Sequence, residues 1–213
     1  MKLVAAALAC LPLLIAAPAQ AAVVSVTFDS VSSFASIGTH YAGGTDSDGV
    51  AGANLGVSFG LDALGLKNDA LGPYFSNAPS PAGVMTVVGP AATMNVPAGF
   101  SNLSFFYSSN AAIADAIEVW SGLDGTGTRL ASLSLANNAQ AGGCSDTAFC
   151  NFSSLSTALV GSLGFSVSFG KAASAAAFDN LSLTVPGTVS EPGSVPIVAL
   201  GLGLAALATR RRR

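Results

Sequence analysis

From Val23 to Val185 the chain is made of short runs in which apolar and polar residues alternate, and none of them continues into an amphipathic helix. "VVSVTFDSV", "GVSFG", "GVMTVVG", "LSFFYSS", "AIEVWSG", "RLASLSL", "LGFSVSFG" and "FDNLSLTV" follow one another, separated by clusters of Gly, Asn, Pro and Ser. A period of two with β-branched enrichment is the signature of a strand that buries one face. "EVWSGLDGTGTRLASL" reads as a hairpin, because Asp124-Gly125 and Gly127 tolerate positive φ in the connecting loop. "NAPSPAG" and "VPAGFSN" read as loops, and "SNAAIADAIEV" is the one stretch whose alanines suit strand or helix. Many short strands between turns predict an all-β antiparallel β-sandwich, jelly-roll-like for this length, with the 12 phenylalanines in its core.

Both ends obey different physics. "MKLVAAALACLPLLIAAPAQA" has Lys2, an apolar stretch broken by Pro12 and Pro18, and a small-x-small pattern ending in Ala19 and Ala21. It predicts a signal peptide over residues 1–21. At the other end, residues 192–209 carry no charge and would form a helix of roughly 27 Å, enough for a thin hydrocarbon core. Pro196 fits the first turn of such a helix. Arg210, Arg211, Arg212 and Arg213 would stop transfer on the cytoplasmic side, leaving the preceding domain outside. The chain therefore divides into a leader (1–21), an ectodomain (22–186) and a linker, single transmembrane helix and arginine cluster (187–213).

The formal net charge of −3 hides an acidic middle. Between Ala22 and Pro186 stand ten acidic residues and three basic ones, Lys67, Arg129 and Lys171. A domain at −7 offers nothing to neutralise a phosphate backbone, which excludes nucleic acid as a partner. With Cys10 in the leader, Cys144 and Cys150 remain in "GGCSDTAFCNF". In an exported chain such a pair reads most simply as a disulfide stapling a loop. A metal site is the alternative, though the single histidine, His40, lies far away in sequence.

A leader at one end and a Glu191-Pro192 turn, apolar helix and arginine cluster at the other resemble the PEP-CTERM proteins of Gram-negative bacteria. Ser190 stands where that family usually has its first proline. The resemblance implies processing by exosortase, a membrane cysteine protease-transpeptidase, with Glu191 and Pro192 in the processing motif. "FSNLSFFYSS", "IEVWSGLDGTGTRLASLSL" and "AAFDNLSLTVPGTVSEPG" are similar to a recurring ectodomain of the same family. This implies a surface protein passing through the inner membrane and periplasm, associated with exopolysaccharide and biofilm and without a known enzymatic activity.

The residues themselves supply little chemistry. His40, in "GTHYAGGTDSDG", reads as a surface-loop histidine, and Glu118 with scattered aspartates does not define a carboxylate pair across a sugar. No catalytic residue and no cofactor is assigned, apart from a structural Ca²⁺. Its candidate ligands are Asp46 and Asp48 in a Gly-containing turn that lacks the rest of an EF-hand, and Asp29 and Asp179 in the first and last strands. For carbohydrate, the candidates are Trp120 and Tyr107. Trp120 is read as core, as a lone tryptophan in a small sandwich usually is, with a rim platform as its alternative. Two functions remain: a surface-sorted structural protein of the matrix, or a carbohydrate-binding module delivered by the same tail.

Overall fold

A computed structural model describes residues 21–187. The expected leader, transmembrane helix and sorting signal lie outside those residues. Among the described residues no helix is long and apolar enough to cross a membrane. Residues Ala21–Pro186 form one compact unit.

The unit is all-β, with two antiparallel sheets. Its strands in chain order are β1 (Ala22–Val26), β2 (Ser58–Phe59), β3 (Ala63–Leu66), β4 (Val84–Val87), β5 (Thr93–Phe100), β6 (Asn102–Ser109), β7 (Ile113–Trp120), β8 (Arg129–Leu135), β9 (Ser153–Ala158), β10 (Gly164–Ser168) and β11 (Ala176–Val185). One sheet runs β3-β4-β11-β6-β9, with β1 also paired to β11. Two short strands share one side of the long β11: β4 pairs with Ala177 and Phe178, and β1 with residues 181–185. Between them Asn180 takes φ +48° and shifts the register against β6, a bulge that re-aims the strand. The other sheet runs β2-β5-β10-β7-β8.

The alternating runs explain the core. Val26, Leu103, Phe105, Phe178, Leu181 and Leu183 face inward from the first sheet. Met94, Val96, Ile117, Val119 and Val167 meet them from the second. Phe105, Phe169 and Phe178 pack edge to face at 5.0–6.5 Å between centroids, and each fully buried ring contributes about 1.5–3 kcal/mol. The phenylalanines are not uniformly internal: Phe34 is 50% exposed, in an edge-on pair with Tyr74 at 5.4 Å. The ambiguous stretch at 109–119 is strand from Ile113 onward, after a short connection at 110–112; within it Asp115 takes φ +49° and the pairing with β8 shifts register. The β7–β8 hairpin forms as its sequence predicts, with Asp124, Gly125 and Gly127 all at positive φ.

Candidate functional site

Among the described residues, the candidate side chains fall into clusters under the end of the sandwich where β1 meets β11 and on the outer face of the five-stranded sheet.

At the first, His40 is fully buried, which corrects the surface reading of its loop. Gly52 lies against its ring and backbone so closely that a Cβ there would run into both. Tyr41 packs edge-on at 4.8 Å. The ring Nδ1 donates to the Val50 carbonyl at 3.0 Å, since a carbonyl only accepts. In the neutral ring Nε2 therefore accepts from the Ser30 hydroxyl at 2.8 Å. A hydroxyl held by an imidazole is half of a nucleophile arrangement, but the group orienting the ring is a carbonyl and not a carboxylate. Beside this pair the Tyr41 hydroxyl is buried with no hydrogen-bond partner among the described residues, and burial pushes its pKa up.

Asp29 and Asp179 are brought to the same end. Asp29 accepts the amides of Ala82 and Gly83 at 3.1 and 3.0 Å. Asp179 is fully buried, and both its oxygens are engaged by Ser80 and by the amide of Asn180. Desolvation raises the Asp179 carboxyl above the usual range, against the opposing pull of those hydrogen bonds. Asp46 is a loop organiser: its oxygens accept the amides of Ser32, Asp48 and Val50 at 2.9–3.0 Å. Those amides outweigh the cost of burial and hold its pKa down. Asp48 is exposed. Among the described residues, metal-ligating types come together in threes only at Cys144, Asp146 and Cys150, with ligand atoms within 4.8 Å. Cys144 and Cys150 face one another at a Cα separation of 5.8 Å, within the span of a disulfide.

On the outer face of the five-stranded sheet, the residues that alternate with the core line up across the strands. One rung is Ser58, Asn95, Ser166, Trp120 and Arg129. The next is Thr93, Ser168, Glu118 and Ser132. Trp120 is thus outside the core, contrary to the favoured reading, because its neighbour Val119 takes the inward place. It is not an open platform either. The β7–β8 loop folds back over the first rung: Asp124 exchanges hydrogen bonds with Asn95 at 2.6 and 2.8 Å, and Gly125 donates to Ser166 at 3.0 Å. Trp120 is half-buried beneath it, its Nε1 without a partner among the described residues. Tyr107 is unavailable as a sugar platform: it is buried in the core, and its hydroxyl accepts the Ala136 amide at 3.2 Å.

The second rung lies outside the cover of the β7–β8 loop and carries charge, with the Glu118 side chain 14% exposed beside its two cations. One oxygen of Glu118, Oε1, accepts from both Arg129 and Lys171 at 2.9 Å. Lys171 first, then Arg129, holds the Glu118 carboxyl below its usual pKa. Asp115 beside them is lowered by the Ser132 hydroxyl at 2.6 Å and by the same two cations. Two clefts open here. One of about 290 Å³ is lined by Glu118, Ser168, Lys171, Ala116, Gly170 and Pro90. The other, about 400 Å³, lies across Pro90 beside Thr93 and Asp124. This groove left no mark in the sequence except Glu118, whose partners lie 11 and 53 residues away.

Comparison with known proteins bears on the tail. Residues 188–213 match the family model described as the PEP-CTERM protein-sorting motif. The tail is therefore a PEP-CTERM sorting motif, as its residues suggested, and Glu191, Pro192 and the four arginines lie within it. No curated protein and no solved structure matches the chain.

Proposed function

We propose that this chain is a non-enzymatic protein of the cell surface, exported, processed or anchored by exosortase, and contributing structurally to an exopolysaccharide or biofilm matrix. The sorting motif at residues 188–213 carries the reading, because such a motif implies export and exosortase processing. In this reading the signal peptide is removed after Ala21, and the uncharged helix and Arg210–Arg213 hold the chain in the membrane until processing. The ectodomain is a jelly-roll-like sandwich facing outward, with Cys144 and Cys150 oxidised. Deleting residues 190–213 tests it: the shortened protein should appear folded in the periplasm or medium. If it stays at the envelope like the full chain, the tail is not the anchor.

A second reading, a carbohydrate-binding module delivered by the same tail, is favoured by the groove around Glu118. Pull-down against a broad glycan panel, with and without Ca²⁺, tests it. Failure to bind any glycan would leave the structural role alone.

A further inference from the structure

We propose that the groove along the outer face of the five-stranded sheet, centred on Glu118, binds an uncharged polysaccharide chain, a proposal that rests on the carbohydrate-binding reading above.

The shape comes first. The two clefts share Pro90, and their lining residues Thr93 and Ser168 are direct partners across β5 and β10, so the clefts lie side by side. At about 290 and 400 Å³ they sit at the lower end of the range for small-ligand sites, and both are open. A pair of shallow, adjoining depressions suits a stretch of polymer better than one enclosed small molecule.

The chemistry comes next. Glu118 is anchored through Oε1 alone; among the described residues Oε2 accepts no hydrogen bond. Arg129 spends a single N–H on Glu118, and Lys171 likewise, leaving the rest of their donors for a ligand. The Ser168 and Thr93 hydroxyls stand in the same rung. A carboxylate acceptor beside cationic donors, already held in place, matches neighbouring hydroxyls on a sugar ring, which offer a donor and an acceptor together. Such bonds are charge-assisted, and pre-positioning lowers their entropic cost.

Charge selects the class. Two of the three basic residues of the ectodomain converge here, and Asp115 and Glu118 cancel them. Asp124 lines the adjoining cleft, so the groove as a whole is slightly acidic on a domain at −7, and a polyanion is repelled both locally and by the surroundings. With Trp120 under the β7–β8 loop, recognition rests on hydrogen bonds more than on stacking.

Trp120 is the single tryptophan of the chain and lies two residues from Glu118 on the same face, so it reports on the groove. The experiment titrates the full-length protein in detergent with uncharged gluco-, manno- and N-acetylglucosamine oligosaccharides and with a uronic-acid oligosaccharide, following fluorescence and heat. At least one uncharged series should bind saturably and shift the fluorescence. Glu118→Gln should weaken that binding about tenfold or more, the loss of a charge-assisted bond. Thr93→Arg, which blocks the adjoining cleft and leaves the Glu118 cluster intact, should weaken it as well. Binding that neither substitution weakens overturns the groove while leaving the domain a carbohydrate binder. Preference for the uronic-acid probe overturns the ligand class. No binding of any probe overturns both the proposal and the reading beneath it.

Discussion

The hydroxyl of Ser80 lies 2.7 Å from Oδ1 of Asp179, two residues 99 positions apart in the chain. The same hydroxyl lies 2.9 Å from the Thr27 carbonyl, and it has only one proton to give. Oδ1 also accepts the Asn180 amide at 2.7 Å, so an ionised Asp179 keeps a donor there even when the Ser80 proton goes to Thr27. A proton on Asp179 would add one bond to this set, its O–H donating to Ser80 while Ser80 donates to Thr27. Its other oxygen still accepts the Ser80 amide at 2.7 Å.

Burial raises the Asp179 carboxyl, and the direction of that shift fixes the sign of a pH effect. The folded state holds the proton more tightly than the unfolded chain. The contribution is therefore full below the ordinary aspartate value and is lost as pH rises through the folded one. Wild type should be most stable relative to Asp179→Asn in acid, with the difference shrinking toward neutral pH. Denaturant midpoints of the two proteins along a pH series measure it, and a flat difference contradicts a raised Asp179 pKa. Asp179→Ala should cost about 1–3 kcal/mol, because the Ser80 groups lose their partner.

Glu118 should behave in the opposite sense. Lys171 and Arg129 lower its pKa, so its contribution is present above the ordinary glutamate value and lost as pH falls through the folded one. Both cations are about half exposed, at 50% and 47%, so the pairs are screened by solvent. Glu118→Gln should cost no more than about 1 kcal/mol at neutral pH. That cost should vanish in acid and in about 1 M salt, where the screening length falls to about 3 Å. Thermal melts across pH and salt check it. A larger cost, or one indifferent to salt, would assign Glu118 a packing role.

What the sequence made legible was whatever depends on neighbours along the chain. Alternation located β6, β7, β8 and β11, and Asp124-Gly125 marked the hairpin. Even the outward place of Trp120 was readable from parity, since Val119 alternates with it; the general habit of lone tryptophans obscured the local pattern. The burial of His40 was hidden because its loop is rich in Gly, Thr and Asp. It is packed by contacts made elsewhere, with Gly52, Tyr41 and Ser30. The Ser80–Asp179 network and the Glu118 groove join residues from separate strands, and no local pattern encodes them.

Gly52 makes the His40 packing testable. A Cβ there would strike the His40 backbone carbonyl as well as its ring, and the backbone cannot move aside as a flexible side chain would. Gly52→Ala should destabilise the domain by about 1–3 kcal/mol or more through overpacking. Gly49 takes φ +87° in open space, so Gly49→Ala tests backbone strain without a clash. Chemical denaturation should rank Gly52→Ala as the costlier change when His40 is intact. In a His40→Ala background the Gly52 penalty should shrink but persist, because the carbonyl remains. An unchanged penalty in that background would mean that the ring takes no part in it.

The cysteine loop gives the last prediction. Cys144 and Cys150 close a short loop that docks on residues 74–77: the Phe149 amide donates to Tyr74 at 3.2 Å and Ser76 donates back to Phe149 at 3.1 Å. Asn77 adds a side-chain bond to the Cys150 carbonyl at 3.1 Å. Joining the sulfurs would restrict the unfolded chain, and for so short a loop the entropic model gives about 2 kcal/mol. The exported protein should resist alkylation until it is reduced. Cys144→Ser with Cys150→Ser should lose about that much stability. The loss should be local: limited proteolysis should first cut near residues 74–77 and 141–150, while the Phe105–Phe169–Phe178 core stays protected. Free thiols in the exported protein would remove the staple. They would leave Cys144, Asp146 and Cys150 as a ligand group, which a cobalt-binding spectrum on the unreduced protein would then reveal.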